Sequence, residues 1–378
     1  MLSLSNKTPT IVTHSDTFHC DEVMGTAMLE YLYGENLNII RTRDKDELER
    51  IQNDEFSDHI VLDVGQVYDS KRRLYDHHQS SFTDKWQDHK HYKASTPLSS
   101  CGLVWKHHGS TIINTKLKEL GFPEYFSDTM KDDFYYYFVH GIDANDNGVS
   151  KYEQPGKARY SNALELGWVV NKFNSDDVYD NDKQLIQFRK AVDHCKQVFN
   201  AALEKNLRYR VAYLKDKSNF KADYESKTNP EILVVSTRYE CMNEYLHDLD
   251  PDQTTKFIIV PRGSDQKQIW TVNKKGSQFE NLVKIIPQGR AKDLVGKKCV
   301  FVHKARFTGS FADESAAFEV CEASLADHYS VQNTLDRIGS SLVAELAGSL
   351  TLKNPVLTGF LGMVAGVSLC AAYLMKRK

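Results

Sequence analysis

Apolar residues along the first part of the chain come in short β-branched runs separated by an amphipathic stretch. TIVT at 10–13 predicts a strand, NIIRT at 38–42 a second, and HIVLDVG at 59–65 a third. Between the first two, DEVMGTAMLEYLYG places apolar residues at 24, 27, 28, 31 and 32, the spacing of one helix face, and Gly34 marks its end. Strands this apolar are of the buried type. Their alternation with helix predicts an α/β fold with a parallel sheet. Helices are expected around 99–108, 112–120 and 126–140, and the first domain, 1–175, ends near 175.

A new pattern begins at 181. One long helix carries an apolar stripe of Leu185, Phe188, Val192, Cys195, Phe199, Ala202 and Leu203. Strands follow at 231–236, 256–261, 268–273 and 299–303, then a helix at 314–326, so 181–328 reads as a smaller α+β domain. Residues 329–355 form a partly amphipathic helical stalk. Residues 356–375 are 20 positions without a charge, followed by Lys376, Arg377 and Lys378. That length matches a bilayer core and predicts a transmembrane tail anchor with the bulk of the chain in the cytosol; a buried core helix is the alternative. A short anchor with a basic end favours the mitochondrial outer membrane over the endoplasmic reticulum. Gly362 and Gly366 have the spacing that lets two such helices pack, as a homodimer would require.

Composition narrows the function classes. The chain has 378 residues, 26% of them charged, with a net charge of −3, so a polyanion must meet a local basic patch or bound cations rather than a global field. Seven scattered cysteines without a CxxC pair point to a reducing compartment and against structural zinc. No phosphate-binding GxxxxGK[ST], GxGxxG or GxSxG motif occurs, which removes the common nucleotide-dependent and serine-hydrolase classes. The N-terminal ten residues lack the apolar core of a secretory signal.

Four segments concentrate ligand-type side chains. HSDTFHCDE at 14–22 follows the first strand, Asp63 ends the third, DHH spans 76–78, and GIDANDNG at 141–148 supplies Asp143 and Asp146 in a turn-rich loop. Singly, each has an ordinary explanation: Asp21 can cap a helix, and Asp76 can make a turn. Together they form a mixed imidazole and carboxylate set at strand ends, where open parallel sheets build sites. Such a set without thiolates suits Mn²⁺, Fe²⁺ or Zn²⁺ better than Mg²⁺ or Ca²⁺. Several carboxylates also permit bridging of two ions, the arrangement used for in-line displacement at phosphorus.

The motifs THSDTFHCDE, IIRTRD, VLDVGQVYD, RLYDHHQSSFTD, LSSCGLVWKHHG, GIDANDNG and CVFVHKARFTG occur in one order from about 10 to 326. In that order they resemble the melanocyte-proliferating-gene exonuclease family, a eukaryotic branch of the DHH phosphoesterases. The resemblance implies a DHH-type N-terminal domain, a second substrate-binding domain, and a metal-dependent 3′→5′ exonuclease acting on RNA. It implies two divalent ions, Mn²⁺ first, with Mg²⁺ or Zn²⁺ as alternatives. His14, His19, Asp21, Asp63, His77 and Asp143 would be ligands, with Asp63 bridging and Asp146 in reserve. Asp76 would support His77, and His78 would contact the scissile phosphate. Lys304, Arg306 and Gly309 would bind substrate. In RFTGSFADESA, 306–316, a second glycine of the family's basic motif is Ser310, and the basic residue after it gives way to Asp313 and Glu314. That departure leaves room for a small nucleotide or short oligonucleotide as substrate, or for a degenerate membrane scaffold.

Overall fold

Three or four consecutive branched apolar residues are what each central strand of the first sheet contributes, because both faces of that sheet are covered. In β1 (Thr10–Thr13) and β3 (His59–Leu62) the last three residues are buried. Side chains alternate across the sheet. Ile11, Ile60 and Leu62 enter the core that also holds Val23, Ala27 and Val104, while Val12 and Val61 join Leu48 and Leu74 on the other side.

A computed structural model describes residues 8–54, 58–87, 96–123, 127–151, 163–277 and 280–348. The chain divides into two units, Met1–Asp216 and Lys217–Lys378. The first contains β1, α1 (Cys20–Tyr33), β2 (Asn38–Arg41), α2 (Lys45–Asn53), β3, β4 (Tyr68–Asp69) and β5 (Leu74–Tyr75). It continues with α3 (Ser100–Glu119), α4 (Ser127–Phe134), a π-helical turn at Tyr135–Val139, α5 (His140–Asp146), α6 (Leu166–Asn171) and most of α7 (Asn181–Glu225). The sheet order is β2-β1-β3-β5-β4, with parallel pairing throughout except for the antiparallel edge strand β4. Strands β1, β3 and β5 are therefore neighbours, and their carboxyl ends lie side by side.

The second unit carries β6 (Ile232–Val234), α8 (Met242–Leu249), β7 (Phe257–Arg262), β8 (Gln266–Thr271), α9 (Gln288–Val295), β9 (Cys299–Val302), β10 (Thr308–Phe311) and α10 (Glu314–Gly348). Its sheet order is β6-β7-β8-β10-β9, with one parallel pair at β6–β7 and antiparallel pairs elsewhere. Phe257, Ile259, Ile269 and Phe311 of this sheet pack with Ala317, Val320 and Cys321 of α10.

Several expectations are corrected. The unit boundary falls inside α7, not at 175–181, because Phe188, Val192, Cys195, Phe199 and Leu203 of that helix belong to the first core. The helices expected at 99–108 and 112–120 are one helix. Gly109 does not end it; a Cβ there would lie 2.9 Å from the Trp105 ring, so the glycine makes room for the indole. The expected loop at 141–148 is helical through Asp146. The helix expected at 314–326 runs on to Gly348 and takes in the first part of the stalk. Among the described residues no helix is long and apolar enough to cross a membrane, and the segment 356–375 lies outside them.

Candidate metal centre

The site grows from three adjacent strand ends. His14 follows β1, Asp63 follows β3, and Asp76, His77 and His78 follow β5. The sequence marked the first two ends; β5 is only two residues long and carries no periodic signal. The first turn of α1 adds Asp21 and Glu22, and the last residue of α5 adds Asp146. All of these side chains except Glu22 line one pocket of about 680 Å³ with His19, Arg43, Asn145 and Asn147.

Backbone conformation at the rim is unusual. Asp16, Asp63 and Gln66 adopt left-handed φ values of 68°, 57° and 56°. Non-glycine residues pay about 1–2 kcal/mol for that region, and such strain clusters at functional sites. At Asp63 the conformation turns the chain as the strand ends.

The two oxygens of Asp63 face different imidazoles. Oδ2 lies 3.4 Å from Nε2 of His14, and Oδ1 lies 3.3 Å from Nε2 of His77 and 3.4 Å from Nδ1 of His78. Nε2 of His14 is also 3.0 Å from Oε1 of Glu22, and Nε2 of His77 is 3.2 Å from Oδ2 of Asp146. Close as they are, these atoms are poorly aligned for hydrogen bonding. Among the described residues, Nε2 of His14, both oxygens of Asp21, Oε2 of Glu22, Oδ1 of Asp63 and Nε2 of His77 are buried without a hydrogen-bond partner. Unpaired buried carboxylates cost several kcal/mol each, so a cluster of them calls for a ligand.

Electrostatics point the same way. Burial pushes Asp21 well above the usual carboxylate range, and the charges of Asp63 and Asp146 push it further. Burial also raises Asp146. Burial opposes charging of His14, but Asp63 and Glu22 overcome it and push its pKa up to about 10. Against the same opposition Asp63 and Asp146 raise His77. His14, His77 and Asp21 thus hold on to protons, while the imidazoles keep Asp63 ionised; Arg43 alone does not offset the buried carboxylates, and the pocket still demands positive charge. Divalent cations satisfy that demand by displacing protons. The donor atoms fall into three sets whose members lie within 4.8 Å of one another: His14, His19, Glu22 and Asp63; Asp63, His77 and His78; and Asp21, His77 and Asp146. Cys20 lines the pocket, but contact with Cys195 and burial hold its thiol neutral, so the donors are nitrogen and oxygen. The residues fit divalent metal ions.

Two expected residues have other partners than expected. Asp143 is fully buried away from these sets and accepts hydrogen bonds from the Ser99 amide (3.1 Å), the Ser99 hydroxyl (2.7 Å), the Gly102 amide (3.1 Å) and the Tyr135 hydroxyl (2.8 Å). It sits at the start of α3, where unpaired amides favour an anion. A Cβ on Gly102 would come within 2.3 Å of its carboxylate, so that glycine is needed. Asp76 supports His78 and not His77: its Oδ1 is 2.8 Å from Nδ1 of His78, while its Oδ2 accepts the Gln66 amide at 2.6 Å. Glu22 is the residue to add, and Asp146, expected only in reserve, stands in the donor set in place of Asp143. Glu22 is adjacent to Asp21 in the motif, and Asp146 becomes visible once 140–146 is helical, one turn beyond Asp143.

The family model described as MYG1_exonuc, uncharacterised protein family UPF0160, matches residues 10–325. The chain belongs to the MYG1 exonuclease family. It is 30% identical to the MYG1 exonuclease of Bos taurus over 334 residues, spanning 84% of this chain and 85% of that protein. It is 30% identical to the MYG1 protein C694.04c of Schizosaccharomyces pombe, spanning 83% and 97% respectively. A solved pGpG-specific phosphodiesterase from Vibrio aligns over 85% of the chain and 98% of its own at 13% identity, but the TM-score of 0.26 is too low to bear on either fold or chemistry. The MYG1 family match covers both units and nearly all the residues discussed so far.

Lys304, Arg306 and Gly309 lie in the second unit. Lys304 and Arg306 are in the turn joining β9 to β10, and Arg306 has a left-handed φ of 63°. Gly309 is buried inside β10, where a Cβ would approach the Phe301 carbonyl to 3.0 Å, so its small size serves sheet packing. Two acids of the altered motif pair with nearby lysines: Asp313 with Lys298 at 2.9 Å and Glu314 with Lys267 at 3.0 Å.

Proposed function

We propose that the chain is a metal-dependent phosphodiesterase that removes nucleotides from the 3′ end of RNA. One observation carries the proposal: unpaired buried carboxylate and imidazole atoms of His14, Asp21, Asp63 and His77 converge on a single pocket, with Glu22 3.0 Å from His14. His14, His19, Glu22 and Asp63 would hold one ion, and Asp21, His77 and Asp146 a second, with Asp63 shared. Mn²⁺ suits this donor set, with Mg²⁺ and Zn²⁺ as alternatives. Bound there, divalent ions supply Lewis acidity for attack by water on a phosphodiester. The nucleic-acid substrate is supported by the relatives' name, exonuclease.

The chain's own residues prepare the rest. The hydrogen bond that Asp76 accepts from Nδ1 raises the pKa of His78 and orients its ring, which leaves Nε2 to donate to a phosphate oxygen. His78 is half-exposed, as a substrate-contacting group must be. Lys304 and Arg306 are proposed to meet the RNA backbone. The ion pairs of Asp313 and Glu314 take up two cations that a long polyanion would use, and they favour a second substrate class, dinucleotides or nucleoside bisphosphates. The segment 356–375 is proposed to tether the protein, also as a homodimer, to the mitochondrial outer membrane; its support is 20 uncharged residues before a basic end. Deleting 356–378 should then free the protein from membranes on flotation.

The decisive experiment incubates the full chain and its Asp63→Asn variant with 3′-labelled RNA, the matching DNA and a dinucleotide, in Mn²⁺ or EDTA. Mononucleotide release from RNA, abolished by EDTA and by the substitution, is expected. Faster turnover of the dinucleotide selects the second class. No hydrolysis and no metal uptake by the unaltered chain leaves a scaffold.

A further inference from the structure

The segment between His14 and His19 is held from far along the chain. The side-chain amide of Asn174 pairs with both polar atoms of the Phe18 backbone: Oδ1 accepts the Phe18 amide at 2.9 Å, and Nδ2 donates to the Phe18 carbonyl at 3.0 Å. Gln184, fully buried on α7, donates from Nε2 to the Asp16 carbonyl at 3.0 Å and to Oδ1 of Asn174 at 3.0 Å. Its Oε1 accepts the Ser175 amide at 2.9 Å, so the two amides are locked to each other and to the connection between α6 and α7. The Asp16 carbonyl takes a second bond from Arg41 at 2.8 Å. The Phe18 ring is buried edge-on against Phe188 of α7.

This degree of restraint has a chemical reason. Asp16 is left-handed, a conformation that a free turn of this sequence would leave. Were it to relax, His14 and His19, whose rings are 5.4 Å apart, would separate, and the Glu22 oxygen that accepts the His19 amide at 2.8 Å would lose its place. The ligands after β5 and at the end of α5 are not attached to this turn, and Asp21 is held by α1 itself.

We propose that Asn174 and Gln184 are positioning residues for metal binding: their amide pair presets the His14–His19 turn and thereby sets the affinity of the ion held by His14, His19, Glu22 and Asp63. The proposal rests on the metal-centre assignment above. Outer partners that orient ligands typically change metal affinity about 10–100-fold when removed. The ion at Asp21, His77 and Asp146 keeps its affinity.

Mn²⁺ titration of the full chain, followed by the electron-spin signal of free Mn²⁺, tests this with Asn174→Leu and Gln184→Ala. Asn174→Leu keeps the side-chain size and removes the paired bonds to Phe18 together with those to Gln184 and Asn171. Leu207→Ala, in the core of α7 about 35 Å along the helix from Gln184, serves as a stability control. Amide exchange at Phe18 and His19 is measured alongside. The expected result is one of two Mn²⁺ sites weakened at least tenfold in both variants, with faster exchange at those two amides. Leu207→Ala, matched in loss of melting temperature, keeps both affinities. Unchanged Mn²⁺ affinity in both variants, with normal uptake by the unaltered chain, overturns the proposal alone. Equal weakening by Leu207→Ala also overturns it, because the effect is then general destabilisation. Absence of Mn²⁺ uptake by the unaltered chain overturns the metal centre and this proposal with it.

Discussion

The start of α3 and the pocket at the strand ends both bury carboxylates, and α5 contributes to each. Asp143, facing α3, accepts four hydrogen bonds. Asp146, one turn later, lies 3.2 Å from His77 in a set with Asp21, both of whose oxygens lack any partner. The same residue type on one short helix thus serves two purposes. Where donors saturate the carboxylate, it ties elements together; where they are missing, it waits for a cation. Burial alone does not separate the two cases. Hydrogen-bond saturation does.

The sharpest way to break this contrast is at the shared carboxylate. Asp63→Asn should lower Mn²⁺-dependent hydrolysis by roughly 10³-fold or more and remove Mn²⁺ uptake. In metal-free buffer its melting temperature should fall only modestly, by the lost attraction between Asp63 and the imidazoles of His14 and His77. A loss of folding in this variant would mean that the pocket is a structural ion-pair network.

The next contrast is between neighbours. Asp146→Asn should weaken Mn²⁺ binding by roughly 10–100-fold while leaving stability in place. Asp143→Ala should do the reverse. It strands the donors of Ser99, Gly102 and Tyr135 and should cost about 3 kcal/mol in denaturant unfolding, with Mn²⁺ affinity retained. The contrast fails if both substitutions move the same observable.

The smallest effect concerns pH. Burial pushes the pKa of Asp143 up to about 7, although bonds from Ser99 and Tyr135 pull against it. In the unfolded chain the carboxyl ionises near pH 4. A raised folded value favours the native state below the unfolded pKa, and that contribution is lost as pH rises through the folded pKa. Stability should therefore decline between about pH 4 and pH 7, by an amount on the order of a few kcal/mol from this group. Asp143→Asn should flatten that slope in chemical-denaturation series at matched ionic strength. An unchanged slope would show that the four donors keep Asp143 ionised throughout.

The first three strands, the first helix and the long α7 were legible from apolar spacing, because each buries a regular face. Asp63 was legible because an acid at the end of an apolar strand has few bland explanations. Strands β4 and β5, two residues each, were not, since their pairing depends on neighbours distant in sequence. The helix through Asp146 was hidden by Gly141, Asn145 and Asn147, which favour turns when no tertiary partner is present. Asp143 supplies that partner by reaching the first turn of α3.

Residue types and local spacing determined that this protein would carry imidazoles and carboxylates at strand ends in a parallel sheet, because alternation and burial are local properties of a chain. Which of those side chains share a pocket was decided by strand order, by the left-handed turn at Asp63 and by the choice at α5 between Asp143 and Asp146. Those depend on where donors from distant segments arrive, and a carboxylate has no local signature of the partners it will meet.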